Sequence, residues 1–120
     1  MATFSKQILS NSTNGRNIKV VQTSSPGTLI HTGSTTLTTF DEIYIYANNT
    51  SGASVKLTLQ WGGTTSPDDE IELTLTGEAG LVTVIPGFVL KGAATALEVR
   101  AFAATTNVIT IAGFVNRIEA

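Results

Sequence analysis

The sequence predicts an all-β domain: an antiparallel β-sandwich, jelly-roll-like, preceded by an extended N-terminal arm. Three observations carry this. Period-2 alternation of apolar and polar residues recurs along the chain, and no segment shows convincing helical periodicity. Turn signals rich in Gly, Pro, Asn and Ser separate the alternating runs at intervals of ~8–12 residues, the spacing of short strands in a sandwich or small barrel. Threonine is abundant, at 20 of 120 residues, while charged residues make up only 13%, about half the usual share of ~25%. A branched Cβ fits a pleated surface, and a surface poor in charge suits a protein that buries much of its exterior against partners.

The elements follow in order. Residues 1–16, MATFSKQILSNSTNGR, are polar with Phe4, Ile8 and Leu9 as apolar anchors, and they close on Asn14-Gly15. They read either as a frayed terminus or as an arm lying across a neighbouring subunit, with Phe4, Ile8 and Leu9 as docking points and Arg16 and Lys19 at its base. Residues 17–120 form the single domain. Strands are expected at 17–22 and 28–32, around the Ser25-Pro26-Gly27 turn. In the run EIYIYAN, Ile43 and Ile45 alternate with Tyr44 and Tyr46, so both of its faces need cover. SVKLTLQW sets Val55, Leu57, Leu59 and Trp61 on one face, and EIELTL does the same with Ile71, Leu73 and Leu75. Strands at 81–85, 96–103 and 107–118 complete the series, with Pro86-Gly87 read as a turn. A helix over KGAATALEVRAF is the alternative for that stretch, but Gly92 and Thr95 favour loop and strand.

Composition excludes several classes of function. With 120 residues the chain builds one core. Its net charge of −2 offers no basic footprint for nucleic acid or an anionic membrane. There is no cysteine, hence no disulfide, thiolate metal site or cysteine nucleophile. The N-terminus has no apolar signal-peptide core, and no apolar run reaches the length of a membrane helix, so synthesis in a cytoplasm is expected.

The candidate chemistry is thin. Asp68, Asp69, Glu70 and Glu72 form the densest acidic cluster. Their consecutive spacing lacks the alternating ligands and the turn glycine of a calcium loop. They read as the Ser66–Asp69 turn plus two outer-face residues that keep a hydrophobic hairpin soluble. Trp61 continues an inward row and belongs to the core or a subunit interface. His31, the only histidine, has no nucleophile elbow near it and reads as structural. Phe40, Tyr44 and Tyr46 could stack on a sugar, but packing or partner contact is the better reading. Lys56, Lys91, Arg100 and Arg117 read as solvated or partner-facing. No metal, cofactor or catalytic set is expected, and the chain is not expected to be an enzyme.

The order of motifs resembles small virion proteins of tailed bacteriophages and cyanophages, of the capsid decoration or cement type. The matching pieces are STNGRNIKVVQTSSPGTLIHT, DEIYIYANNTSGASVKLTLQWGG, PDDEIEL, VIPGFVL and the ending AFAATTNVITIAGFVNRI. The resemblance implies a β-sandwich or jelly-roll knob on the exterior of the head, often a homotrimer, that clamps neighbouring major capsid protein subunits. A tail- or fibre-associated β-module and a carbohydrate-binding β-sandwich are the alternatives.

Overall fold

The computed structural model describes residues 2–120. Nine strands account for it: β1 (Thr3–Ile8), β2 (Ile18–Lys19), β3 (Thr28–Thr32), β4 (Thr39–Asn49), β5 (Val55–Trp61), β6 (Glu70–Leu75), β7 (Val82–Lys91), β8 (Glu98–Ala103) and β9 (Ile109–Glu119). They form two antiparallel sheets packed as a sandwich. Sheet A has the order β1-β9-β4-β7, with β2 also on β9, and sheet B has the order β3-β8-β5-β6. Among the described residues there is no helix, so 91–102 is the end of β7, a loop over 92–97 and then β8.

Alternation sets the layers. On β4, Ile43, Ile45 and Ala47 are buried, while Phe40, Glu42, Tyr44 and Tyr46 between them face outward. Val55, Leu57 and Leu59 of β5 and Val99, Ala101 and Ala103 of β8 meet them from sheet B. A one-residue slip of any of these strands would turn its whole apolar row outward, and this holds the register.

The chain departs from the expected segmentation at its N-terminal end and at Pro86-Gly87. Residues 2–16 do not behave as a projecting arm, and Met1, the first residue of the expected arm, lies outside the described residues. Thr3–Ile8 pair with Glu119–Phe114 of the same chain, and Leu9 is 1% exposed in the core. β2 then takes up the same partner further along, with Ile18 opposite Ile111. β1 and β2 are thus one broken strand running beside β9, and residues 9–17 are an excursion between its halves. The expected strand at 17–22 shrinks to two ladder residues.

Pro86-Gly87 is not a turn either. It lies inside β7, where the register against β4 shifts between Ile43 and Tyr44, leaving Gly87 as the extra residue of a bulge. Gly87 has φ of +98°, and a Cβ there would lie 3.0 Å from the Tyr44 ring, so glycine answers both demands. β7 is an edge strand, where the missing N–H of Pro86 is tolerated.

Candidate functional site

The outward face of sheet A is built by register. Partners in an antiparallel ladder point to the same side, so three rows cross the sheet in the order β1, β9, β4, β7. They are Phe4–Ile118–Phe40–Lys91, Lys6–Asn116–Glu42–Val89 and Ile8–Phe114–Tyr44–Pro86. Ala112 and Tyr46 extend the face beyond the third row, and Lys19 with Thr110 beyond that. At its centre the Tyr44 and Phe114 rings stack, with centroids 4.6 Å apart and planes 13° from parallel. Lys6 Nζ sits 4.9 Å from the centroid of the Phe114 ring. Phe4 is 71% exposed, and Ile8 and Val89 are about half exposed. Burial pushes the Tyr44 hydroxyl pKa upward, and the neighbouring Glu42 carboxylate adds to that. The Glu42 carboxylate itself accepts a hydrogen bond from Asn116 Nδ2 at 3.0 Å.

Sheet B turns a different surface outward. Lys56 and Glu72 pair at 3.0 Å, and Arg100 and Glu98 pair at 3.0 Å. Arg100 also donates to the Gly27 carbonyl, and Gln60 bridges the Gly27 N–H and the Ser25 hydroxyl. Phe102 is the one aromatic among these polar groups.

A polar hub ties the two sheets to the N-terminal excursion. Asp41 and His31 are each 1% exposed, with Nε2 of His31 2.8 Å from Oδ2 of Asp41. Arg117 donates to the same carboxylate through Nε at 2.7 Å and a terminal nitrogen at 2.8 Å. The Ser10 N–H donates to Nδ1 of His31 at 3.0 Å. Nδ1 is therefore the accepting nitrogen and Nε2 carries the hydrogen, so a neutral imidazole donates to an ionised Asp41. Burial of the carboxyl alone would raise its pKa. The hydrogen bonds from Arg117 and His31, with the Arg117 charge, outweigh that and hold Asp41 at about 2. Arg117 in turn is pushed further up by its bond to Asp41. Ser10 Oγ accepts from the Thr32 N–H, and Asn11 bonds the Ile30 and Leu29 carbonyls. These contacts pin the excursion to β3.

This arrangement is a cross-link. A histidine bonded to a carboxylate resembles part of a hydrolase triad, but Nδ1 is occupied by a backbone N–H, where a triad would need a nucleophile. The expectation that Arg117 is solvated or partner-facing fails because β9 aims it at Asp41. His31, read as structural, is the sheet-to-sheet contact of that hub.

The other residues singled out by sequence divide cleanly. Phe4, Ile8 and Lys19 share the outward face of sheet A. Leu9 leaves it for the core, and Arg16 sits in the turn of the excursion beside a shallow cleft of about 420 Å³ with Thr13 and Asn17. Phe114, Ile118 and Ala112 were missed as surface residues; their parity against the buried Ile109, Ile111 and Val115 was the available signal. Trp61 is half-buried, packing edge-on to Phe88 of β7 at 6.0 Å where the sandwich opens. The acidic cluster forms its turn: Asp69 Oδ2 accepts from the Thr65 N–H, and Ser66 Oγ donates to Glu70. Among the described residues no three His, Asp or Glu side chains converge on a metal-sized site.

No family model matches the chain, and no curated protein is similar to it in sequence.

Proposed function

We propose that the protein is a non-enzymatic structural protein of a phage virion that attaches to the outer surface of the capsid and stabilises the shell. The observation that carries this reading is the outward face of sheet A. It carries stacked rings at its centre and exposed Phe4, Ile8 and Val89 among Lys6, Glu42 and Lys91, and a single sandwich leaves it uncovered. Exposed apolar groups rimmed by polar ones mark a protein contact. The strand orders β1-β9-β4-β7 and β3-β8-β5-β6 also read as two interleaved Greek keys, the jelly-roll wiring that viral capsid domains and lectins use. The motif order in the sequence resembles capsid decoration proteins and supplies the partner, a major capsid protein. Self-association fits the low charge, and linked copies make each further contact with the shell effectively intramolecular.

The test is co-sedimentation of the purified protein with expanded phage heads that lack it, followed by measurement of the heads' thermal stability. Saturable binding and a raised disruption temperature are expected. Labelled protein found at the tail tip of intact virions would replace the head reading with a tail or fibre module. Point substitutions serve this test better than truncation. Deleting residues 2–16 would strip β1 from β9 and open the core at Leu9.

A further inference from the structure

We propose that the outward face of sheet A is covered by a second copy of the chain, the two sheets packing face to face about a twofold axis that runs parallel to the strands between β9 and β4. The inference rests on reading this face as a protein contact and assigns that contact to a second copy, so that the capsid meets the remaining surface of the pair.

Area is the first argument. β1, β9, β4 and β7 have 6, 11, 11 and 10 residues, and at ~3.3 Å per residue and ~4.8 Å per strand the face covers about 600 Å², the lower end of what specific pairs bury on each partner. A stable protein pair buries roughly 800 Å² on each partner. Packing two sheets with strands roughly aligned is also the ordinary geometry of a sandwich.

Complementarity is the second argument, and it follows from the rows. The twofold sets each row against its own copy in reverse order. Phe4 then faces Lys91 of the second copy, Ile118 faces Phe40, and Lys6 faces Val89. Asn116 faces Glu42, Phe114 faces Tyr44, and Ala112 faces Tyr46. No charge meets a like charge in this arrangement. Aromatic rings meet aliphatic or aromatic partners, Lys91 meets a ring face, and the amide of Asn116 is set to share its donors with a second Glu42. Outward-facing sheet B, with its ion pairs, offers no comparable match to itself.

The pairing is tested by a charge swap on the full-length protein, with sedimentation velocity across a concentration series and circular dichroism to confirm the fold. Wild-type protein is expected to be a dimer at tens of micromolar. Phe4→Lys sets a lysine against Lys91 of the second copy and should weaken pairing by about tenfold or more, since like charges in a contact are costly. The double variant Phe4→Lys/Lys91→Glu should recover most of that loss, which a merely structural role for Phe4 would not produce. A monomer over the whole series, or an oligomer indifferent to both variants, overturns the pairing. If such a monomer still binds expanded heads, the capsid reading survives alone. If it binds none, both readings fall.

Discussion

The two sheets are inverted with respect to each other. Sheet B is apolar inside and carries its ion pairs, Lys56–Glu72 and Arg100–Glu98, on the solvent side. Sheet A encloses one ion pair, Asp41–Arg117, and turns Phe4, Phe40, Tyr44, Tyr46 and Phe114 outward beside Lys6, Glu42 and Lys91. Both have the same alternation, so the period alone does not distinguish them. The difference lies in which chemistry occupies each parity. An outer row of charges is what a sheet facing water needs. An outer face of rings with a few charges between them, over an ion pair sunk beneath it, suits a sheet facing protein, because fewer charges have to be desolvated on docking.

The inversion can be broken from its inside first. Asp41→Ala should destabilise the fold by about 3–5 kcal/mol, because Arg117 and the donor nitrogen of His31 lose their only buried acceptor. Urea unfolding at neutral pH measures this, and a loss below about 1 kcal/mol would show that the hub is not what joins the sheets. Trp61→Ala tests the seam where the two sheets part. A fully buried tryptophan truncation costs ~3–5 kcal/mol, and half-burial against Phe88 lowers the expected figure to about 2–3 kcal/mol, read from the same unfolding curves.

Acid sharpens the contrast without any substitution. The folded-state pKa of Asp41 is about 2, against an ordinary 3.8. Between those values the unfolded chain binds the proton and the folded chain does not, so stability falls as the pH is lowered. The contribution of Asp41 should be fully present above about pH 4 and should lose roughly 2 kcal/mol by pH 2. In Asp41→Asn that acid-dependent loss should shrink. The smallest effect belongs to the outside of sheet B. Glu72→Gln removes a pair whose side chains are about half exposed, and the midpoint should move by less than about 0.5 kcal/mol. A large loss there would mean that sheet B, too, depends on its charges.

Much of the fold was legible because its inner rows are long and regular. Ile43 and Ile45, Leu57 and Leu59, and Leu73 and Leu75 name their strands and their inward faces without help. β1 was not legible. FSKQI is short and half polar, and it becomes a strand because residues 114–119, at the other end of the chain, supply its hydrogen-bond partners. Pro86-Gly87 has the composition of a turn, yet an edge position excuses the proline and a bulge uses the glycine. The hub is three residues separated by 10 and 76 positions, a relation that no local pattern states. One signal was present: Asp41 has the same parity as Ile43 and Ile45, and an acid in an inward row needs a buried partner. The candidate face was half legible. Phe4, Ile8 and Lys19 were singled out as contacts and Phe40, Tyr44 and Tyr46 as packing or partner-facing rings, but that Phe114 and Ile118 of β9 join the two groups into one face appears only when the register is known.

The place of β9 in sheet A bears on how the molecule reaches its folded state. It is the last strand in sequence, yet it lies between the broken first strand and β4. Until residues 109–119 are available, Phe4 has no ladder partner and β4 pairs on one side only, with β7. The entropy of closing the longest loop in the chain must be spent before those contacts return anything, which places folding among the slow, milliseconds-to-seconds processes of sandwiches. During that wait the inner row of β4 and its unpaired edge are both open to other chains. The yield of native protein should therefore respond to the rate of synthesis and to temperature more than to the stability of the finished sandwich.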